Sequence, residues 1–159
     1  MFRKCIFLLL FTASTMAIAQ QDNEKQAIKK VIETFFEGLH KGDSAIMATT
    51  LHKEIKIQTT RNNREGDRLL FSETREKLLE NVSKKKPSDV YKEKLLSYDI
   101  KVDGNLASVW TPYEFYFNGN FSHCGANSFQ MFNNNGNWQI IYLVDMRRRG
   151  NCDALKDKK

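Results

Sequence analysis

The feature that most constrains this fold is a set of four extended segments in the second half of the chain, separated by short turns rich in asparagine and glycine. Turns of this kind join neighbouring antiparallel strands, because Asn and Gly accept the backbone conformations that tight hairpins need. The sequence therefore predicts an antiparallel meander. The predicted strands are 92–102, 106–117, 121–132 and 138–147, and the turns between them are 103–105, 118–120 and 133–137.

The first half of the chain has helical periodicity instead. Apolar residues from Ile28 to Leu39 recur at spacings of three and four, which predicts a helix with one apolar face. Asp22 or Asn23 can cap the start of this helix, and Gly42 fits just beyond its end.

Two more helices and two short strands complete the predicted first half. Asp43 can cap a short helix, and the alternation in residues 54–60 predicts a strand. Residues 61–71 predict a turn and a second short strand. Ser72 opens a third helix, which Pro87 prevents from continuing. Helices followed by a meander predict an α+β class, in which the helices cover one face of a curved sheet.

The N-terminus has the pattern of a secretory signal peptide. Arg3 and Lys4 precede an apolar run over residues 5–18, and the small residues at 17 and 19 form a cleavage signal before Gln20. The apolar run is too short for a membrane-spanning helix; an uncleaved anchor is the alternative. We predict an exported protein, periplasmic or secreted, with no membrane association after cleavage. The predicted divisions are the signal peptide 1–19, a single domain 20–150 and a C-terminal tail 151–159.

Removal of the signal peptide leaves two cysteines, Cys124 and Cys152. In an oxidising compartment a disulfide between them is the simplest expectation. This bond requires the chain beyond the last strand to turn back through Gly150 and Asn151. The sequence signal for a metal site that combines His123 with these cysteines is weak, because His123 and Cys124 are adjacent on a strand and point to opposite faces. We expect no metal.

Charge and motifs exclude several function classes. The chain has 25 basic and 19 acidic residues, and the basic ones are scattered apart from short runs such as 147–149, which are typical of solvated faces. No aromatic-basic platform or helix-turn-helix pattern accompanies them, so nucleic-acid binding is not expected. The sequence also has no glycine-rich phosphate loop, nucleophile elbow or Cys-x-x-Cys motif. We therefore expect no cofactor.

Three stretches resemble a known superfamily: "FFEGLHKGD" (35–43), "DGNLASVWTPYEFYF" (103–117) and "NNNGNWQIIYLVD" (133–145). With the order of elements, they resemble the nuclear transport factor 2-like superfamily, specifically the exported SnoaL-like or putative lumazine-binding branch, over roughly residues 23–148. The resemblance implies a cystatin-like fold, a cone-shaped curved antiparallel sheet whose concave face is covered by three N-terminal helices. It also implies a pocket between helices and sheet, often a dimer, and, from the lumazine label, a flat heteroaromatic ligand.

The register of the last two hairpins decides which polar side chains face that pocket. A three-residue loop at 118–120 pairs Phe115 with His123 and separates apolar from polar faces better than a two-residue turn does. Continued into the last hairpin, this register pairs Asn127 with Tyr142. The residues then predicted to face the pocket and contact a ligand are Thr111, Tyr113, His123, Asn127, Trp138 and Tyr142.

The same register leaves an apolar outer face. We predict a homodimer through this face, since it is too apolar for open solvent. Its residues are Trp110, Tyr116, Ile141 and Leu143.

Three functions are compatible with these features. The leading hypothesis is an exported small-molecule-binding module with a mostly apolar pocket. The second is an isomerase- or dehydratase-like enzyme with His123 as general base. The third is a structural or interaction protein whose own side chains fill the cone. Under the predicted register Glu114 and Asp145 face outward, so the carboxylate that enzymes of this fold place in the pocket is missing, which favours binding over catalysis.

Overall fold

A computed structural model describes the backbone from Phe2 to Leu155, and the side chains of residues 21–153 and Leu155. The side chains of the predicted signal peptide, and residues 156–159 of the predicted tail, lie outside the described part of the chain. Among the residues described, no helix is both long enough and apolar enough to cross a membrane.

Residues 2–155, the part of the chain that the structure describes, form three α-helices and seven strands, followed by one short 3-10 helix at Asp153–Leu155. The helices are α1 (Phe2–Lys41), α2 (Ser44–Ala48) and α3 (Arg75–Ser83). The strands are β1 (Leu51–Asn62), β2 (Arg68–Glu73), β3 (Tyr91–Leu95), β4 (Asp99–Asp103), β5 (Leu106–Phe117), β6 (Asn120–Asn134) and β7 (Asn137–Arg148).

All seven strands belong to one curved sheet. Its order is β2-β1-β7-β6-β5-β3, with β4 also paired to β5. The predicted α+β class is confirmed, with the helices packed on one face. The sheet is not antiparallel throughout, however, because β1 pairs with β7 in parallel. These two strands come from opposite ends of the domain, so no hairpin forces them to run in opposite directions.

Two predicted boundaries are wrong. The segment predicted as one strand over 92–102 is two strands, β3 and β4. Both pair with the long strand β5, one after the other along its length. Ser72 lies in β2 rather than at the start of a helix. The cap of α3 is Thr74 instead, whose hydroxyl accepts a hydrogen bond from Lys77 N at 3.2 Å. Either hydroxyl satisfies the sequence pattern, and pairing of β2 with β1 decides between them.

The predicted junction between the first two helices is confirmed. Gly42 follows the end of α1 with a φ of 71°, and the Asp43 carboxylate accepts a hydrogen bond from Ile46 N at 2.9 Å. Gly38 allows the two helices to touch, since a Cβ there would lie 2.8 Å from the Cβ of Met47. The predicted start is wrong, because α1 is continuous across Asp22 and Asn23.

The hairpin between β5 and β6 has the predicted register but a different turn. Asn118 and Gly119 form a two-residue turn with φ of 49° and 79°, as type I′ hairpins require. A bulge at Ser122 then adds one residue to β6, so Phe115 pairs with His123 as predicted. The predicted three-residue loop is therefore wrong, yet the bulge restores the faces that it implied.

The hairpin between β6 and β7 overturns the prediction for the end of the chain. Its turn is Asn135-Gly136, and the first rungs keep the predicted faces. The two-residue turn replaces the predicted turn 133–137 and moves the register by two residues, which leaves the faces unchanged. A bulge at Ile141 moves it by one more, so Asn127 pairs with Asp145 and not with Tyr142. Because side chains alternate between faces, the extra residue turns Tyr142 outward and turns Leu143 and Asp145 inward.

The inner face of the sheet divides into two halves at this bulge. The closed half is packed against α1, where Phe129 makes edge-to-face contacts with Phe35 and Phe36. The open half continues along the same strands toward their other ends. The closed half consists of Val109, Phe129, Met131, Trp138 and Ile140. The open half consists of Glu93, Tyr113, His123, Asn127 and Asp145.

Candidate functional site

A cavity of about 370 Å³ lies between the helices and the open half of the sheet. Its wall is mostly apolar, with aromatic rings from three elements. Its polar groups come from β1, β3, β5, β6 and β7, and from Glu73 at the end of β2. The lining residues include Phe35, Phe36, Leu39, Leu78, Tyr91, Phe115, Phe117 and Leu143, together with Thr59, Glu93, Tyr113, His123, Asn127, Asp145 and Arg147.

Asp145 is the most connected polar group of the cavity. Only 8% of this residue is exposed. Its carboxylate accepts hydrogen bonds from Thr59 Oγ1 and from Arg147 Nε, each at 2.6 Å. A longer contact of 3.4 Å comes from the hydroxyl of Tyr113. A buried carboxylate needs such donors, and they fix its position on the cavity wall.

Gly125 makes the contact between Tyr113 and Asp145 possible. Tyr113 lies on β5 and Asp145 on β7, so the tyrosine ring must cross the intervening strand β6 at Gly125. A Cβ at this glycine would lie 1.6 Å from the carbonyl oxygen of Met146 and 3.1 Å from the Tyr113 ring. The tyrosine hydroxyl also donates to that carbonyl at 3.3 Å. Burial and the neighbouring Asp145 raise the Tyr113 pKa, so the hydroxyl keeps its proton.

Glu93 and Asn127 form the second polar pair. The Asn127 side-chain amide donates to a Glu93 carboxylate oxygen at 2.7 Å. Burial raises the Glu93 pKa to about 7, against the lowering effect of the Asn127 hydrogen bond, and Asp145 raises it further. His40 Nε2 holds this part of β3 by accepting a hydrogen bond from Glu93 N at 2.8 Å. The carboxyl therefore exchanges its proton near neutral pH.

His123 stands at the rim of the cavity. Its ring stacks on Phe115 with a centroid distance of 4.9 Å, and its Nδ1 lies 3.1 Å from Ser122 Oγ. Burial and, after it, the positive charge of Arg147 lower the His123 pKa to about 4. The imidazole is therefore neutral at pH 7.

The six predicted ligand contacts fall into two groups. Tyr113, His123 and Asn127 line the cavity. Thr111 and Trp138 face inward but are buried in the packed sheet beside it. Tyr142 points outward, where its hydroxyl donates to Gln58 Oε1 at 2.5 Å. Its predicted inward position is wrong because of the bulge at Ile141.

A larger groove of about 780 Å³ lies next to the cavity and shares two lining residues with it. We call it the arginine groove, after Arg61, Arg64, Arg147, Arg148 and Arg149. His123 and Arg147 line both the cavity and the groove. The predicted solvated run 147–149 thus forms one wall of a concave surface, which also includes the end of β1.

The sequence analysis did not predict the carboxylates of the cavity wall, Glu73, Glu93 and Asp145. A signal for Glu93 was present: it lies between Tyr91 and Leu95 at alternating positions of β3, and these share one face. No comparable signal exists for Asp145, because its face depends on the bulge. Leu143, predicted on the dimer face, lines the cavity for the same reason.

The C-terminal segment returns to the outer face of β6. The sulfur atoms of Cys124 and Cys152 lie at disulfide-bonding distance, with their Cα atoms 5.9 Å apart. Cys124 is fully buried at this point. The segment after β7 is thereby held against the sheet beside the arginine groove.

Comparison with known proteins supports the fold. Residues 23–144 match the sequence model of the family described as "Putative lumazine-binding". None of the curated proteins matches the sequence.

Many solved structures resemble the chain. An NTF2-like protein of unknown function from Shewanella baltica is 19% identical with a TM-score of 0.59, over 80% of this chain and 96% of that one. A protein of unknown function from Mycobacterium tuberculosis is 13% identical with a TM-score of 0.67, over 86% and 78%. A structure named as a putative dehydratase of the NTF2-like family, from Streptomyces avermitilis, is 10% identical with a TM-score of 0.60, over 82% and 99%. At these identities the likeness shows the NTF2-like fold.

Proposed function

Because the chain belongs to the "Putative lumazine-binding" family of NTF2-like proteins, we propose that it is a ligand-binding module that holds a small, flat heteroaromatic molecule in the cavity. The observation that carries the proposal is the composition of the cavity wall. Aromatic rings from α1, β3 and β5 surround a hydrogen-bonding pair, Glu93 and Asn127, beside the Asp145 cluster. A volume of about 370 Å³ is within the usual range for small-molecule sites.

The polar pair suits the edge of a heteroaromatic ring. Such rings carry nitrogen acceptors and N–H donors side by side. Near pH 7 the Glu93 carboxyl exists in both protonation states, so it can donate or accept a hydrogen bond. Asn127 adds an amide with both a donor and an acceptor. Phe115 and Tyr91, whose ring centroids lie 5.9 Å apart, supply apolar surface for the ring faces.

Titration calorimetry with lumazine tests this proposal. We expect wild-type protein to bind it, and Asn127→Ala to weaken binding by at least about tenfold, since a buried polar contact is lost. Tyr142→Phe is the matched control, because Tyr142 points away from the cavity, and it should bind as wild type does. The proposal is wrong if neither lumazine nor a panel of related bicyclic heteroaromatics binds and native mass spectrometry finds no co-purified ligand.

A second candidate function is proton transfer on the bound molecule. It is favoured by Glu93, whose pKa of about 7 is suited to a general acid or base at neutral pH. This role replaces the predicted one of His123, which lies at the rim. An assay of hydrogen–deuterium exchange into bound lumazine analogues would detect the activity. We expect Glu93→Gln to abolish exchange while binding persists; equal exchange in both proteins would exclude Glu93 as the base.

We further propose that the protein is exported, that Cys124 and Cys152 are bonded in the exported form, and that the outer face forms a homodimer. Trp110 supports the dimer, since half of this large side chain is exposed. Thiol labelling of the unfolded, unreduced protein from the exported fraction should detect no free cysteine. Two labelled thiols per chain would contradict the disulfide, and recovery of the whole chain from the cytoplasm would contradict export.

A further inference from the structure

We propose that the arginine groove binds an anionic group, a phosphate or a carboxylate, carried by the same molecule whose ring occupies the cavity. This inference rests on the proposed function and adds the chemical class of the ligand. The ligand is then an aromatic compound with a negatively charged substituent that projects through the open end of the cavity.

Arg61 and Arg147 place two positive charges side by side at the groove. These residues are direct register partners on the parallel strands β1 and β7. Like charges opposite each other in a sheet destabilise it. Asp145 compensates Arg147 through its hydrogen bond at 2.6 Å, whereas the Arg61 guanidinium lies 4.4 Å from the centroid of the Phe71 ring. A bound anion between the two arginines would remove the repulsion.

The turn between β1 and β2 brings further positive charge to the groove through Arg64. The Asn63 side chain holds this turn: its carbonyl oxygen accepts a hydrogen bond from Asp67 N at 2.8 Å, and its amide donates to the Asp67 carboxylate at 2.9 Å. Glu65 is the one acidic residue among the described residues that line the groove. Five arginines therefore line the groove with one carboxylate, while those of Asp67 and Asp145 lie beside it.

Guanidinium groups also suit the chemistry of the proposed ligand. Each presents several N–H donors in a planar fork that matches the oxygen spacing of phosphate and carboxylate.

The cavity and the arginine groove share part of their walls. His123 and Arg147 line both the cavity and the groove. Arg147 is held by Asp145, whose other partners Thr59 and Tyr113 are themselves fixed on the sheet. The charge at the junction is thus preorganised, so a ring in the cavity would bring its substituent to an oriented cation.

The test compares 2-naphthol with 2-naphthyl phosphate, which differ only in the charged group. Affinities are measured by calorimetry at low salt for wild type, for the double variant Arg61→Gln/Arg149→Gln, and for Lys101→Gln as a control on β4. We expect the phosphate ester to bind wild type at least about tenfold more tightly than the alcohol, because hydrogen bonds to charged groups are strong. The double variant should bring this ratio close to one and leave 2-naphthol affinity unchanged, whereas Lys101→Gln should keep the ratio.

Salt and inorganic phosphate complete the experiment. Added sodium chloride should weaken binding of the ester and leave binding of the alcohol unaffected. If the alcohol binds but the ester binds no better, the inference is overturned and the proposed function stands. If neither compound binds while lumazine does, the inference is overturned and the proposed function again stands; if lumazine and related heteroaromatics also fail to bind, both are overturned. If inorganic phosphate binds as tightly as the ester, the groove takes anions independently of the ring, and the single-ligand proposal is wrong.

Discussion

The closed and open halves of the inner face lie on the same strands but have opposite chemistry. In the closed half Val109, Phe129 and Met131 are packed without solvent access. Farther along the sheet, the same inner face carries Tyr113, Asn127 and Asp145. The wall of the sheet is continuous across this boundary, so the change is in the side chains and in what covers them.

The difference shows that one sheet separates stability from binding. The closed half buries apolar surface against α1, which is the main favourable contribution to folding. The open half buries carboxylates and an amide, which stabilise little even when paired, because desolvation offsets much of their attraction. The small contribution of these polar groups to folding is consistent with the ligand contact that we propose for them.

The largest expected effect on the free energy of unfolding comes from a large-to-small substitution in the closed half. Phe129→Ala removes a fully buried ring that contacts Phe35 and Phe36. We expect the free energy of unfolding to fall by about 3–5 kcal/mol, from lost burial and the cavity that remains. Urea denaturation measures this. Phe121→Ala is the control, because Phe121 is about half exposed, with 47% of its surface accessible, and it should cost much less. Equal losses in both variants would contradict the division into halves.

The next largest effect should come from the crossing point in the open half. Gly125→Ala puts a Cβ against the backbone carbonyl of Met146, so the strands must separate and the Tyr113–Asp145 contact is lost. We expect a loss of about 3 kcal/mol together with weaker lumazine binding. Gly150→Ala is the matched control, because no atom lies within 4 Å of a Cβ placed there. The assigned role of Gly125 is wrong if both variants unfold and bind alike.

A smaller effect is expected from Glu93 and depends on pH. Because the folded-state pKa is raised to about 7 from an ordinary value of 4.5, the protonated carboxyl stabilises the fold below pH 4.5, and this contribution is lost as the pH rises through 7. Glu93→Gln resembles the protonated form. At pH 8 we expect the variant to be more stable than wild type by about 2 kcal/mol, a figure reduced for partial exposure of the group.

The contribution of His123 to folding stability depends on pH in the opposite sense to that of Glu93. Its folded-state pKa is lowered to about 4, so its contribution is present above pH 6.5 and is lost as the pH falls toward 4. In wild type the two groups partly cancel between pH 4.5 and 6.5. Urea denaturation at several pH values should therefore show that Glu93→Gln loses stability on acidification. A profile parallel to that of wild type would refute the raised Glu93 pKa; Glu54→Gln, an exposed substitution, is the control.

The smallest effect on unfolding is expected at the outer face. Trp110 is half exposed, so Trp110→Ser should lower the unfolding free energy of the monomer by about 1 kcal/mol, from the half of the ring that is buried. The proposed homodimer, in contrast, should dissociate. Analytical ultracentrifugation should find wild type as a dimer and the variant as a monomer, whereas Phe71→Ser, an exposed change on the inner face of β2, should stay dimeric. A monomeric wild type would end the dimer proposal.

Much of the fold could be predicted from the sequence because its signals are local. The Asn-Gly turns and the alternating strands predicted β5, β6 and β7 within a few residues, and the stripe from Ile28 to Leu39 predicted the packed part of α1. The candidate site could be predicted only in part. Tyr113, His123 and Asn127 were placed in the cavity correctly, since they precede the bulge that reverses the faces.

The sequence by itself determined the strands, the turns and the apolar face of the first helix, because each depends on residues close together in the chain. Only the tertiary structure decided the face of Asp145, the inward position of Leu143 and the pairing of Arg61 with Arg147. The physical reason is the bulge at Ile141 and the parallel pairing of β1 with β7. Both are set by packing between distant segments, and a shift of one residue moves every later side chain to the other face.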